Sequence, residues 1–223
     1  WQFFEVLAPS PILPLAARAR PWRRALPMTA RTLCQRCERP LRTCICGWVS
    51  RTRNELEVLI LQHPDEAHQA KGTARLLQMS LANCKTLIGE SFDTQVLLQA
   101  LQGHQNFLLY PLDSHAGEMQ AQPVIEPTRS RLVVLDATWR KSRKILHLNP
   151  ILHKMPRFSL AAQTPSAYWI RKAHKPGQLS TLEATCYALH HIEGRDVYGP
   201  VLDGFAGFVG QLGRYRPSNL KPP

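Results

Sequence analysis

The 223-residue sequence has no apolar run near the roughly 18 to 20 residues that a membrane-spanning helix requires, which excludes an integral membrane protein. Cysteine is sparse, with six residues, whereas a secreted disulfide scaffold is shorter and denser in cysteine. No internal repeat is found. At this length and 44% hydrophobic content we expect one full domain with a hydrophobic core and a small appendage, in a reducing compartment, the cytoplasm.

Acidic residues are scarce: 16 Asp and Glu stand against 28 Lys and Arg, a net charge of +12. Residues 137–182 contain nine Lys or Arg and no acidic residue, and residues 1–55 contain ten arginines and three glutamates. Because the 137–182 stretch has no opposing charge nearby in the sequence, the pattern favours a polyanionic partner, most simply a nucleic acid, over a merely solvated basic face.

Strands and helices alternate from residue 56 onward. We predict strands at 56–64, 85–89, 107–111, 131–138 and 157–160, and helices at 65–82, 93–102, 139–148, 180–192 and 205–212. The first strand is a continuous apolar run, which is typical of a strand buried on both faces. Ser180 or Thr181 with Glu183 has the spacing of a helix N-cap with a capping box. The alternation predicts an α/β fold, a mostly parallel sheet flanked by helices.

Four of the six cysteines fall within thirteen residues: Cys34, Cys37, Cys44 and Cys46. Thiolates are soft ligands, and four of them suit tetrahedral Zn²⁺. A closed four-thiolate site has no open position, so we predict a structural zinc. Free thiols in a basic loop and a redox-active Cys-x-x-Cys pair are the alternatives. Cys84 and Cys186 lie in apolar surroundings and are predicted to be buried thiols.

These patterns divide the chain into four segments. We predict that residues 1–27 form a poorly ordered basic extension, because repeated prolines interrupt any amphipathic helix. An Arg-rich targeting presequence is the alternative for this segment. Residues 28–55 are predicted as the zinc-binding module, 56–213 as the α/β domain and 214–223 as a tail.

Polar residues close three of the predicted strands, at the edge where open α/β sheets bind ligands. They are Gln62, His63 and Glu66, then Tyr110, Pro111 and Asp113, then Asp136. Asp136 is the strongest candidate, because it comes directly after the apolar run Val133-Val134-Leu135 and just before a helix; a helix N-cap is its alternative role. Trp139 is either core packing or a platform for a base. The residues alone indicate a basic α/β protein with zinc and a nucleotide-sized site.

The segment Asp136-Ala137-Thr138-Trp139 matches the Asp-x-Thr-Trp signature of the DTW-domain family, the tRNA-uridine aminocarboxypropyltransferases. The chain resembles that family in three further segments, 62–77, 108–111 and 169–184, and its cysteine spacing is similar to the zinc cluster of bacterial members. The resemblance covers residues 32–212. In one departure, Gly72-Thr73 stands where the family has Asn-Thr, so a polar contact of that Asn is missing here.

The resemblance implies a SPOUT-like fold with a C-terminal trefoil knot that holds S-adenosylmethionine (SAM) in a bent form. It implies transfer of the 3-amino-3-carboxypropyl (acp) group of SAM to N3 of a tRNA uridine, with methylthioadenosine as the by-product. Position 47 of the tRNA is expected, with position 20 as the alternative. The chain is expected to act as a monomer or a homodimer.

Site roles follow from the same resemblance. Asp136 is expected to be the general base or the group that orients N3–H, and the cations next to it favour orientation; Thr138 and Trp139 complete the catalytic signature. The expected SAM-binding residues are Leu109, Tyr110, Pro111, Leu112, Asp136, Gln178, Leu179, Ser180, Thr181 and Glu183. The expected RNA-binding residues are Arg140, Lys141, Arg143, Lys144, Arg171, Lys172 and Lys175, and Arg171 or Lys172 is also a candidate for binding the SAM carboxylate.

Two other functions are compatible with these patterns. The first is a SPOUT-like RNA methyltransferase, which uses the same cofactor but releases S-adenosylhomocysteine. The second is a zinc-containing RNA-binding protein without catalytic activity, for which SAM would not bind and Asp136 would be dispensable.

Overall fold

One parallel sheet organises the chain in the computed structural model, which describes residues 32–112, 123–160 and 179–214. Its strands are β1 (Glu57–Gln62), β2 (Cys84–Ile88), β3 (Gln105–Leu109), β4 (Ser130–Asp136) and β5 (Arg157–Phe158). They lie in the order β2-β1-β4-β3-β5, and every pairing is parallel. The predicted α/β class and parallel sheet are confirmed.

The described residues form six α-helices beside the sheet. They are α1 (Pro64–Ala67), α2 (Ala74–Ser80), α3 (Thr94–Leu101), α4 (Trp139–Leu148), α5 (Thr181–Glu193) and α6 (Gly199–Gly213). Short 3-10 turns lie at Leu41–Thr43, Cys46–Trp48, Pro127–Arg129 and Pro150–Lys154. Across the described ranges no helix is both long and apolar enough to cross a bilayer.

Two predicted helices differ from the observed ones. The helix predicted at 65–82 is two helices, α1 and α2, separated by residues 68–73. Arg39 explains the break, since its guanidinium donates hydrogen bonds of 2.8 Å to the carbonyls of Ala70 and Gly72, which a continuous helix would occupy internally. The last helix is longer than predicted and begins at Gly199. The proline in its first turn, Pro200, does not interrupt the helix, because it lacks only an N–H that would have no partner inside the helix.

Alternate residues of the central strands face two separate apolar layers. On one face Val58, Ile60 and Leu132 pack against α2, α5 and α6. On the other face Leu59 and Val133 pack against α3 and α4. Because both faces of β1 and β4 are covered, the two strands are almost entirely buried, as their continuous apolar sequences predict.

The cysteine-containing segment packs on α6 through a close backbone contact. A Cβ atom on Gly204 would lie 2.1 Å from the carbonyl oxygen of Trp48, and one on Gly207 would lie 2.3 Å from the Trp48 ring. Only glycine therefore permits this approach at either position. Gln211 accepts a hydrogen bond from the Trp48 indole and donates one of 3.2 Å to the carbonyl of Cys44, so the segment is held on α6 by polar contacts as well.

Three predictions concern residues outside the described ranges. The trefoil knot depends on the path of residues 161–178 between β5 and α5, and it remains a prediction. The basic extension (1–27) and the tail (214–223, of which only Arg214 is described) also remain predictions, as do the boundaries at 28–55 and 56–213.

Arg131 joins three strands at the amino-terminal edge of the sheet. Its side chain is 3% exposed and donates hydrogen bonds to Glu57 (2.8 Å), Asn106 (3.1 Å) and the ring of His104 (2.9 Å). Burial by itself would raise the pKa of Glu57, but the hydrogen bond and charge of Arg131 outweigh it and lower that pKa below its usual value.

We expect Arg131→Met to lower the free energy of unfolding by about 3 kcal/mol, because it leaves the Glu57 carboxylate largely buried without its main partner. The pKa of Glu57 is lower in the folded than in the unfolded protein. The stabilisation by the Glu57–Arg131 pair is therefore present above the pKa of Glu57 in the unfolded protein and is lost as the pH falls through its pKa in the folded protein. Urea unfolding should therefore give a difference that shrinks in acid. Arg129→Met, at an exposed position nearby, is the control; a pH-independent difference would contradict the assignment.

Candidate active site

Asp136 lies at the carboxyl ends of the two central strands. It is the last residue of β4, it pairs in register with Gln62, the last residue of β1, and it is 5% exposed. From β1 the chain crosses to β2 on one side, and from β4 it crosses to β5 on the other. The gap between β1 and β4 is thus a topological switch point, where α/β proteins bind ligands.

Hydrogen bonds fix both oxygens of the Asp136 carboxylate. The side-chain amide of Gln62 donates to Oδ2 (2.8 Å), and the hydroxyl of Thr181, the first residue of α5, donates to Oδ1 (2.6 Å). The helix-cap alternative for Asp136 is wrong, because Thr138 is the N-cap of α4 and accepts from the Lys141 backbone N–H (3.4 Å). Asp136 is therefore a buried, oriented carboxylate.

A capping box sets the start of α5 beside that carboxylate. Ser180 is the N-cap, its hydroxyl accepts from the Glu183 backbone N–H (3.2 Å), and the Glu183 carboxylate accepts from the Ser180 N–H (2.8 Å). The predicted capping box is confirmed. Glu183 is fully buried. Its hydrogen bond with the Ser180 N–H fixes the first turn of α5 and thereby holds Thr181 within reach of Asp136. The positive end of the helix dipole also lies on this side.

An aromatic pair lies on the other side of Asp136. Trp139 begins α4, is 50% exposed, and packs edge-on against Tyr110 at a ring distance of 5.7 Å. The Arg157 guanidinium lies 5.4 Å from the Tyr110 ring and donates to the carbonyl of Pro111 (3.1 Å). An indole exposed to this degree is not a core side chain, so core packing is excluded for Trp139, and its role as a platform for a base stays a prediction.

Carboxylates from elsewhere in the sequence pair with the lysines of α4. Lys141 contacts Glu66 (3.1 Å) and Asp65 (3.2 Å), and Lys144 contacts Glu90 (2.7 Å). Burial would lower the pKa of Lys141, but these carboxylates raise it; Lys144 lowers the pKa of Glu90. Residues 137–182 contain no acidic residue, but Lys141 and Lys144 are nevertheless paired with carboxylates from other parts of the sequence.

Glu90 is a site residue that the sequence reasoning missed. It lies just after β2, and that position is its only sequence signal. Its carboxylate accepts from His63 Nε2 (2.9 Å), while His63 Nδ1 accepts from the Asp65 backbone N–H (3.1 Å). This bond pattern assigns the proton of the neutral ring to Nε2. His63 thereby ties the end of β1 to the end of β2.

The other predicted residues divide between described and undescribed ranges. Leu109 ends β3, the residues Tyr110, Pro111 and Leu112 follow it, and Leu179 precedes α5, so all five lie at the carboxyl edge of the sheet. Arg140 and Arg143 are exposed. The residues outside the described ranges are Asp113, Arg171, Lys172, Lys175 and Gln178.

The four clustered cysteines form a candidate metal centre. All four sulfurs lie within 4.8 Å of one another, with Cys34–Cys46 at 3.6 Å and Cys37–Cys44 at 3.7 Å. Tetrahedral zinc with Zn–S bonds of about 2.3 Å requires S···S distances of about 3.8 Å, so the set fits one ion. Backbone N–H groups of Cys37 and Arg36 lower the pKa of Cys34 to about 6, whereas burial and the neighbouring thiols raise the pKa of Cys46 to about 12. The support for a metal centre is therefore the geometry of the four sulfurs.

The remaining cysteines have a different environment. Burial raises the pKa of Cys186 and of Cys84 to about 12, so both are unreactive thiols at neutral pH. Cys186 is buried in the core, as predicted. Cys84 begins the edge strand β2 and is only partly buried, because no further strand covers its side.

Comparisons with known proteins agree with the geometry. The family model of the DTW domain matches residues 31–212. The chain is 31% identical over 181 residues to a Drosophila melanogaster protein named tRNA-uridine aminocarboxypropyltransferase 2, covering 76% of this chain and 70% of that protein. Proteins of the same name are 27% identical in Macaca fascicularis and 28% in Mus musculus, over 75% and 72% of this chain.

The chain spans 58% of the length of the macaque relative and 56% of the mouse relative. No solved structure matches it. The family match includes the cysteine cluster, the whole sheet, Asp136 and α5, far more than half of the chain. The chain therefore belongs to the DTW-domain family.

Proposed function

We propose that this chain is a tRNA-uridine aminocarboxypropyltransferase that moves the acp group of SAM to N3 of a tRNA uridine. The observation that carries the proposal is the buried Asp136 carboxylate, held by Gln62 and Thr181 at the switch point of a parallel sheet and next to the exposed ring of Trp139. Family membership and the names of the relatives support the same reaction.

The reaction is a displacement at the γ-carbon of the SAM side chain. N3 of uracil forms the new bond, the bond from the γ-carbon to sulfur breaks, and sulfur keeps the electron pair, so that methylthioadenosine leaves. All three carbons on the sulfonium are electrophilic, so placement of N3 decides which group moves. N3–H is only weakly acidic, and its proton has to leave as the new bond forms. A carboxylate that orients N3–H, and either takes this proton or passes it to water, assists the attack.

Asp136 supplies that carboxylate. Donors on both oxygens stabilise its charged form and fix its direction, which supports an orienting role over that of a strong base. Trp139 offers its exposed face for stacking on a base, since aromatic side chains hold unstacked RNA bases. Thr138 orders the first turn of α4 and so fixes where Trp139 points.

SAM binds in this proposal between the segment after β3 and the start of α5. Leu109, Tyr110, Pro111 and Leu112 form one side, and Gln178, Leu179, Ser180 and Thr181 form the other. The positive end of the α5 dipole favours the SAM carboxylate, to which Arg171 or Lys172 adds a cation. Glu183 was predicted to bind the amino group of SAM, but its carboxylate is fully buried in the capping box, so in this proposal it positions the segment from behind.

The proposal includes a structural zinc ion held by the four clustered cysteines and a basic surface for tRNA. The zinc takes no part in the transfer, because four thiolates leave no open position. The net charge of +12 supports a tRNA partner. Lys175, with Arg140 and Arg143 of α4, belongs to that surface. Position 47 of the tRNA is proposed as the acceptor, position 20 as the alternative, and the cytoplasm as the location.

Incubation of the full zinc-loaded chain with unmodified tRNA and SAM tests the proposal. We expect acp³U by nucleoside mass spectrometry and methylthioadenosine in equal amount. A methyltransferase would give S-adenosylhomocysteine and a methylated nucleoside, and a non-catalytic RNA-binding protein would give neither product; both results would refute the proposal. Transcripts with cytidine at position 47 or position 20 identify the acceptor.

A further inference from the structure

We infer that tRNA contacts α4 along only one of its two basic sides, through Arg140 and Arg143, and that Lys141 and Lys144 are closed to phosphate. This inference rests on the proposed function, since it concerns how that substrate reaches Asp136. The four cations lie within five residues of one another, and no local sequence feature distinguishes them, but the inference gives them two different roles.

The geometry of α4 separates the two sides. Residues three or four apart are neighbours on a helix surface, so Arg143 lies beside both Trp139 and Arg140, and Lys141 lies beside Lys144. The two rows adjoin where Arg140 neighbours Lys144. The buried side chains of α4 are Ser142, Ile145 and Leu146. We call the row formed by Trp139, Arg140 and Arg143 the arginine side.

The lysine side faces acidic groups from the loops after β1 and β2. Lys141, 20% exposed, is bound by Asp65 and Glu66; Lys144 is 59% exposed, and its charge is paired with that of Glu90 at 2.7 Å. A phosphate that approached here would have to displace a carboxylate from its lysine and would be repelled by that carboxylate. These pairs fasten α4 to the two loops instead of binding RNA.

On the arginine side, no carboxylate of the described residues lies within ion-pair distance. Arg140 and Arg143 are both exposed. A guanidinium presents a planar fork of donors that matches two phosphate oxygens. Two such forks, one helical turn or less apart, suit successive phosphates of an RNA strand.

Trp139 adds a stacking surface at the end of this row nearest Asp136. Its ring is 50% exposed, and its edge contact with Tyr110 holds it in place. Proteins that bind single-stranded RNA combine aromatic platforms with a basic track in this way. The arginine side therefore leads an RNA strand toward the carboxylate from the β3 side of the sheet, and the lysine side blocks approach from the β2 side.

The salt dependence of tRNA binding tests this arrangement, because its slope counts the phosphate contacts. Filter binding of unmodified tRNA to the zinc-loaded chain is measured from about 50 to 200 mM KCl. For Arg140→Gln with Arg143→Gln we expect the slope of log K against log salt to fall by about 1.4 to 2 and the affinity at low salt to fall at least about tenfold. For Trp139→Leu we expect roughly tenfold weaker binding with an unchanged slope.

Two matched variants serve as controls. Lys144→Gln with Glu90→Gln removes both charges of one pair and should leave the slope unchanged, and Arg129→Gln removes one exposed charge at the opposite edge of the sheet with the same result. A wild-type slope in the double arginine variant, or a reduced slope in the Lys144/Glu90 variant, would overturn the inference while leaving the proposed function intact. Absence of salt-dependent tRNA binding by the wild-type chain would remove both.

Discussion

Asp136→Asn is expected to lose acp transfer by at least about 100-fold in kcat, because the amide neither carries the negative charge nor accepts a proton from N3. The substitution keeps the size of the side chain. The amide of Gln62 and the hydroxyl of Thr181 can each reverse their hydrogen-bonding direction, so the fold, the zinc content and tRNA binding should remain. The measurement is single-turnover acp³U formation with saturating tRNA and SAM, together with the thermal unfolding midpoint.

Asp203→Asn is the matched control, since it makes the same chemical change at an exposed position on α6. It should retain wild-type turnover. Thr181→Val separates orientation from charge: it removes one donor to Asp136 without removing the carboxylate, and we expect a loss smaller than that of Asp136→Asn. Wild-type turnover in Asp136→Asn would exclude the role proposed for this carboxylate.

Cys44→Ser is expected to lose the metal ion and to destabilise the segment that contains it. A serine hydroxyl stays protonated and does not replace a thiolate, so the zinc content should fall from about one per chain to near zero. Because metal binding contributes directly to the folding of such sites, the thermal unfolding midpoint should fall by several degrees or more. Elemental analysis and thermal unfolding measure the two effects.

The effect on transfer should be indirect. Arg39 connects the cysteine-containing segment to the carbonyls of Ala70 and Gly72, in the break between α1 and α2. This break directly follows α1, which contains Glu66. A less ordered break would change the position of Glu66, whose carboxylate binds Lys141. Cys84→Ser, outside the cluster, is the control and should keep its zinc. One equivalent of zinc in Cys44→Ser would contradict the assignment of the four ligands.

Local sequence patterns predicted the elements that position the site. Continuous apolar runs identified the buried strands β1 and β4, and the alternation of strands and helices predicted the parallel sheet. The position of Asp136 directly after such a run placed it at the ligand-binding edge, and the spacing from Ser180 to Glu183 predicted the capping box. These features depend on residues close together in the chain, so the sequence suffices for them.

The lysine pairing and the docking of the cysteine-containing segment could not be predicted in that way. Lys141 and Glu66 are 75 residues apart, and they meet only because β1 and β4 are neighbours in the sheet. No local sequence pattern explains why Gly204 and Gly207 of α6 are glycines. The tertiary structure explains it, because Trp48 packs directly against both positions.

The sequence by itself determined which residues are the candidates for the chemistry: the four thiols, the carboxylate that ends β4 and the helix start at Ser180. Only the tertiary structure decided which charges face solvent and which are neutralised, because strand order, not sequence distance, brings a carboxylate to a lysine. The electrostatic energy of a pair depends on separation in space and on burial, and neither is a local property of the chain.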